Sequence, residues 1–308
     1  MKLWVLVLLA LAACAPRQQP VGLPFRAPAI TPSAFVMADA ARLPARRWLA
    51  DNPKAVILGV HGFNDYSRAF DLPGPWFAQQ GISFYAFDQR GFGSAPAPGK
   101  WAGAAAMKSD LRTIVGLLRE RHPDLPLYAL GVSMGGALVI ATAADGEGLD
   151  VDGAILGAPA VWGWSAMNLG LQSVLWVSAH TVPEMTLTGE SLGRRPTDNI
   201  ELLRAMSIDP LVLKDTRIDT IYGLVGLMDD AYRSVEQVRK PVLLLCGRKD
   251  EIVPSDPQKC IAPRITSDLT AKVYPDGWHM LLRDLQREIV WQDILDWMET
   301  RQSGPADG

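Results

Sequence analysis

The stretch Leu127–Leu138, reading LYALGVSMGGAL, constrains this chain more than any other. Leu127–Val132 is a short apolar run of the kind that forms a strand buried on both faces. Gly136–Ala141 reads as helix. Between them stands Gly131-Val132-Ser133-Met134-Gly135, a G-x-S-x-G pattern. A chain that turns from strand to helix within so few residues needs unusual backbone angles. Glycines at 131 and 135 remove the Cβ atoms that would collide there. The expected result is a serine hydroxyl lifted out of the sheet, with a helix N-terminus behind it. In a chain with 27 glycines the pattern alone is weak; the strand before it and the helix after it give it weight.

The surroundings repeat the same grammar. Ala34–Met37 and Arg46–Leu49 read as two strands of a hairpin-like opening. Ala55–Val60 (AVILGV) is a second continuous apolar run, followed directly by His61-Gly62-Phe63-Asn64-Asp65. Asp71–Gln80 reads as helix, Ser83–Phe87 as strand and Asp88–Ser94 as a turn-rich loop. Met107–Arg121 is amphipathic, with Leu111, Ile114, Val115 and Leu118 on one helical face. Gly153–Gly157 is a further strand. Strands alternating with helices predict an α/β fold with a mostly parallel, doubly wound sheet. The alternation lapses over 160–236, which holds Trp162, Trp164 and Trp176 and no evident strand. It resumes with Pro241–Cys246, a helix, Ala271–Tyr274 and a last helix from about Arg287 to Thr300. The expected organisation is a core of 33–159 and 237–301, an inserted helical cap of 160–236, and a flexible tail of 302–308. At 308 residues, 48% hydrophobic and 20% charged, the chain is long enough for such a core plus one insertion.

A net charge of −3 gives no footprint for nucleic acid. The three cysteines, at 14, 246 and 260, are too few for a disulfide framework. Cys246 and Cys260 fit the small apolar role of a free thiol. No CxxC or clustered His/Cys spacing points to a metal, and nothing calls for an organic cofactor.

The N-terminus reads differently. Lys2 is followed by an apolar stretch, Leu3–Ala13, that is too short to span a membrane and fits an export signal over 1–13. Its end, Leu11-Ala12-Ala13-Cys14, resembles the lipobox of bacterial lipoproteins, a resemblance that implies cleavage before Cys14 and a diacylglyceryl group on its sulfur. Ala15 after the cysteine implies the outer membrane, periplasmic side, in a Gram-negative source. Pro16, Pro20, Pro24, Pro28 and Pro32 then recur every fourth position, predicting an extended tether over 14–32.

A serine hydroxyl is a poor nucleophile until a base takes its proton, and the base needs an orienting carboxylate. Both belong on loops at the carboxyl ends of strands. Two loops qualify: Gly247–Pro254, with Asp250 and Glu251, and Pro275–His279, with Asp276 and His279. Ser133, Asp250 and His279 are the expected set, with Glu251 and Asp276 as less well placed acids. The other three histidines fit other roles: His61 structural, His122 at a helix end, His180 in the cap. A developing oxyanion needs two fixed donors, and the backbone N–H groups of Met134 and Phe63 stand in the right loops. Trp162, Trp164 and Met167 follow Gly153–Gly157 closely, and are expected to wall the cleft above Ser133.

Taken together, His61-Gly62, the Asp88–Ser94 loop, Gly131–Gly136, Gly247–Pro254 and Gly277–His279 resemble the α/β-hydrolase superfamily. They are similar more narrowly to its monoacylglycerol lipase and lysophospholipase branch, sometimes grouped with serine aminopeptidases. The resemblance runs from about Ser33 to Thr300. It implies Ser133 as nucleophile, Asp250 as acid, His279 as base, Phe63 and Met134 as oxyanion donors, and a lipid-like monoacyl ester as substrate. Asn64-Asp65 departs from it, since close relatives tend to carry a small residue and then Glu. A short-chain carboxylesterase, a peptidase anchoring an amine on Glu184, Glu190 or Asp198, and a non-catalytic envelope lipoprotein are the competing readings. Oligomeric state is not legible.

Overall fold

The computed structural model describes residues 15–188, 193–253 and 261–302. The leader, Cys14, Glu190, Cys260 and the tail beyond 302 lie outside the described residues.

In chain order the elements are β1 (Ala29–Ile30), β2 (Ala34–Val36), β3 (Arg42–Trp48), β4 (Ala55–Val60), α1 (Pro73–Gln79), β5 (Ile82–Phe87), α2 (Ala104–Arg121), β6 (Leu127–Val132), α3 (Met134–Ala143), β7 (Gly153–Gly157), α4 (Leu169–Thr181), β8 (Thr186–Thr188), α5 (Ile200–Ile208), β9 (Asp215–Arg217), α6 (Ile218–Ser234), β10 (Val242–Gly247), β11 (Leu269–Tyr274) and α7 (Arg287–Gln302). Nine strands form one sheet in the order β1-β2-β3-β5-β4-β6-β7-β10-β11. From β5 to β11 all neighbours run parallel; β1, β2 and β3 are joined antiparallel at the other edge.

The pleat of β4 shows why its apolar run is continuous. Val56, Leu58 and Val60 face one core, built with α2, α3 and α6, while Ala55 and Ile57 face a second, built with α1 and α7. A strand covered on both faces has no polar side to show. The parallel arrangement also brings the carboxyl ends of β4, β6, β10 and β11 to one edge, where the loops after them meet.

Two boundaries differ from the sequence reading. The fold starts before Ser33: Ala29–Ile30 pairs with Phe35–Val36. Gln19 is buried too, its N–H donating to the Trp101 carbonyl at 2.8 Å and its side chain to the Lys100 carbonyl at 2.9 Å. Extended chain needs backbone partners, and the Gly91–Gly103 loop supplies them. The region 160–236 also divides. Leu227, Ala231 and Val235 of α6 and its end are fully buried in the sheet's core, so α6 belongs to the helical layer. What remains is α4, α5 and a two-stranded antiparallel ribbon, β8 with β9, too short to show a period in the sequence. Among the described residues no helix is long and apolar enough to cross a membrane.

Candidate active site

Ser133 sits between β6 and α3 with φ +52° and ψ −119°, a conformation costly for any residue with a Cβ. The surroundings hold it there. Its N–H donates to the Gly157 carbonyl at 3.0 Å, and its carbonyl accepts from Ala137 at 3.1 Å and from Ala160 at 2.9 Å. The two glycines are needed for close approach. A Cβ on Gly131 would meet the Gly135 carbonyl oxygen at 2.5 Å, and one on Gly135 would meet the Val60 oxygen at 2.0 Å. Gly62 brings the loop after β4 against the same turn, its Cβ position lying 3.3 Å from the Ser133 Cβ.

Ser133 and His279 line one cleft, with Gly62, Phe63, Asp65, Ala69, Phe70, Val132, Gly157, Met280, Leu281, Leu282 and Arg283. His279 Nδ1 lies 2.8 Å from Asp250 Oδ2, and both side chains are almost entirely buried. The other Asp250 oxygen accepts the N–H groups of Ile252 and Val253 at 2.8 and 2.9 Å, which fixes the carboxylate's orientation. The rival acids face elsewhere: Glu251 accepts from the Arg195 N–H at 2.7 Å and Asp276 pairs with Lys249 at 2.7 Å. Met134 is fully buried at the first turn of α3, and Phe63 packs edge-on against Phe92 beside the cleft. The structure thus gathers Ser133, His279 and Phe63 at one opening and puts Asp250 behind His279.

The tryptophan expectation is corrected. None of Trp162, Trp164 and Met167 lines the cleft. Their segment is fastened to α6 instead: Ser165 donates its N–H and its hydroxyl to Asp229 Oδ1 at 2.8 and 2.7 Å, and Gly163 lies flat against the Asp229 backbone. Trp164 stacks edge-on with Tyr222 of α6 at 5.1 Å, and Trp162 is 42% exposed. The apolar wall comes from Phe70 and from the loop after His279.

The remaining histidines match their expected structural roles. His61 is fully buried; its Nε2 accepts the Gln89 N–H at 3.0 Å, so the proton rides on Nδ1 and is donated to the Gly62 carbonyl at 2.8 Å. Burial holds its pKa below the ordinary imidazole value. His122 closes α2 and meets the Tyr85 hydroxyl at 2.9 Å. His180 stacks on Trp176 with centroids 4.1 Å apart.

Several site residues have partners that the sequence does not announce. Asp65 pairs with Arg283 at 2.6 Å, both nearly buried on the cleft wall. Asn64 turns at φ +61° and donates to Thr216 Oγ1 at 2.7 Å. Thr197 and Asp284, both fully buried, join at 2.6 Å beneath the His279 loop. Burial pushes the Asp284 carboxyl up, against the Thr197 hydroxyl and the Trp278 N–H, which pull it down. No group of three or more His, Cys, Asp or Glu suited to a metal ion occurs among the described residues.

Comparisons with known proteins identify the chain's relatives. A monoacylglycerol lipase from Mycolicibacterium smegmatis is 28% identical over 260 residues, covering 82% of this chain and 90% of that protein. The human monoglyceride lipase is 27% identical over 305 residues, covering 93% and 95%. Among solved structures, a soluble variant of the Saccharomyces cerevisiae monoglyceride lipase, in complex with a substrate analog, superposes with a TM-score of 0.73 at 19% identity, over 93% of this chain and 98% of that one. The model of the serine aminopeptidase S33 family matches residues 51–286, which takes in every loop of the cleft, and the chain belongs to that family within the α/β-hydrolase fold.

Proposed function

We propose that the protein is a serine hydrolase of lipid-like monoacyl esters, monoacylglycerol or lysophospholipid. The observation that carries this reading is the buried His279 Nδ1–Asp250 Oδ2 contact of 2.8 Å behind a cleft shared by Ser133 and His279. In the proposed reaction His279 Nε2 takes the Ser133 proton as Oγ attacks the ester carbonyl. The N–H groups of Phe63 and Met134 stabilise the oxyanion. The protonated imidazole, steadied by Asp250, gives its proton to the leaving alcohol, and water then cleaves the acyl-enzyme by the same route.

The substrate class rests on the cleft wall and on the relatives. Phe70, Leu281 and Leu282 suit an acyl chain, and each buried methylene is worth ~0.8 kcal/mol. Two curated relatives are named as lipases of monoacylglycerol. A panel of esters varied in acyl length and head group, run with wild type and Ser133→Ala, tests it. The expectation is a kcat/KM that rises from acetyl toward medium and long chains, with monoacyl lipids preferred over triacylglycerols. A flat or falling profile supports the short-chain esterase, and cleavage of aminoacyl amides supports the peptidase.

The membrane placement is part of the same reading. The lipobox-like Leu11–Cys14 supports an acylated Cys14. The arm that follows is tied to the cap by Arg17–Glu184 at 2.9 Å, next to α4, whose Leu169, Val174 and Trp176 are exposed in a run, 161–183, without Asp, Glu, Lys or Arg. An uncharged apolar face beside the anchor point suits a lipid surface.

A further inference from the structure

Within the cap, residues 194–199 run between β8 and α5, and this short piece touches both loops that carry the proposed acid and base. On the acid side, the Arg195 N–H donates to Glu251 Oε2 at 2.7 Å and Arg194 Nη1 to the Glu251 carbonyl at 2.9 Å, one residue from Asp250. On the base side the contacts bracket His279. The N–H of Met280, the residue after it, donates to the Pro196 carbonyl at 2.9 Å. The N–H of Trp278, the residue before it, donates to Asp284 Oδ2 at 2.8 Å, while the other oxygen of Asp284 accepts the Thr197 hydroxyl at 2.6 Å. Asn199 Nδ2 donates to the Arg283 carbonyl at 3.0 Å, and Asp198 Oδ1 accepts the Leu285 N–H at 2.9 Å.

We infer that residues 194–199 are a positioning strap for His279, with the buried Thr197–Asp284 pair as its clasp. Core packing does not require this arrangement. Asp284 is a fully buried carboxylate in a loop, and such a group is costly unless every lone pair is used. Its two partners are a cap hydroxyl and the N–H next to the catalytic base. The chain flanking His279 is therefore pinned by this cap segment directly at Met280 and, through Asp284, at Trp278, so cap and base move as one body. Alignment of a general base tolerates little error, since a shift of about 1 Å costs on the order of 10²-fold in rate. Thr197 and Asp284 touch no reacting atom; they act through the backbone of Trp278 and Met280.

The inference rests on the reading of Ser133, His279 and Asp250 given above, and its test separates the two. The full chain is compared with Thr197→Val, Thr197→Ser and Asp198→Ala. The measurements are the rate of Ser133 labelling by a fluorophosphonate, kcat and KM on a medium-chain monoacyl ester, and Tm. Thr197→Val removes the hydroxyl and keeps the shape. It is expected to lower the labelling rate and kcat about tenfold or more with KM within about threefold, and Thr197→Ser to restore both to within about threefold. A folded Thr197→Val protein with wild-type labelling and kcat, whatever its Tm, overturns the strap, as does a loss that Thr197→Ser fails to restore. Where Thr197→Val does not fold, Asp198→Ala, at a half-buried position, decides: a loss of labelling rate of about two- to fivefold supports the strap, and an unchanged rate overturns it. A wild-type chain that neither labels at Ser133 nor turns over ester overturns the underlying reading, and the strap with it.

Discussion

In the proposed mechanism the backbone at Ser133 is itself part of the chemistry. A residue at φ +52° costs on the order of 1–3 kcal/mol, and three hydrogen bonds with two close-packed glycines hold it there. In the same proposal Asp250 contributes differently, by holding the imidazole of His279 in one tautomer. Replacing it by Asn offers the wrong partner to Nδ1, so Asp250→Asn should cut turnover by about 10⁴-fold with the fold intact, as measured by kcat and Tm side by side. A loss under about tenfold would move the acid's role to another carboxylate. His61 makes a stability prediction instead. Its pKa is lowered in the folded protein, chiefly by burial, so the unfolded chain binds the proton more readily. Stability from this group is full above its unfolded value near 6.5 and is lost as pH falls below it. Tm should therefore drop between about pH 7.5 and about pH 5.5, and His61→Gln should shrink that drop while lowering Tm at both. An unchanged pH dependence in the variant would remove His61 from the account.

Among the elements, the central strands were legible, while β1, the β8–β9 ribbon, the place of α6 in the helical layer and the connections between the cap and the core were not. β6 and β7 fall on the residues the apolar runs mark, and β4 likewise, because a strand buried on both faces leaves an uninterrupted signature. The G-x-S-x-G turn was equally plain, since only glycine relieves its contacts. The apolar residues after β7 misled for a physical reason. Trp and Leu in a cap report burial against something, not against what, and here Asp229 fixes the segment to α6. Thr197, Asp284 and the Asp65–Arg283 pair left no trace because they meet across 87 and 218 residues of sequence with no period to announce them. The wall assignment makes its own prediction. Ala69→Leu, which fills the cleft beside Phe70, should lower kcat/KM for long-chain esters by about tenfold and for acetyl esters by less than about threefold, since each lost methylene contact is worth ~0.8 kcal/mol. Trp162→Ala should leave the chain-length profile unchanged. An altered profile in Trp162→Ala with none in Ala69→Leu would return the wall to the cap.

For the whole molecule, the arrangement of arm, cap and core makes one body with a defined side. Gln19 is stitched to the loop before α2, Trp101 of that loop packs flat on Gly223 of α6, and Arg17 reaches Glu184 after α4. The proposed lipidation at Cys14, ahead of Ala15, Pro16 and Arg17, is tested by substitution. Cys14→Ser should abolish metabolic lipid labelling and move the protein out of the membrane fraction; an unmodified, soluble N-terminus in the wild type would end the lipoprotein reading. The central claim, that Ser133 is the activated nucleophile of a lipid ester hydrolase, is tested most directly by treating the full chain with a long-chain fluorophosphonate and locating the adduct by peptide mass. The account predicts one adduct, on the peptide bearing Ser133, absent from Ser133→Ala and strongly slowed in His279→Ala. An adduct on a different serine, or none on a folded protein, would contradict it.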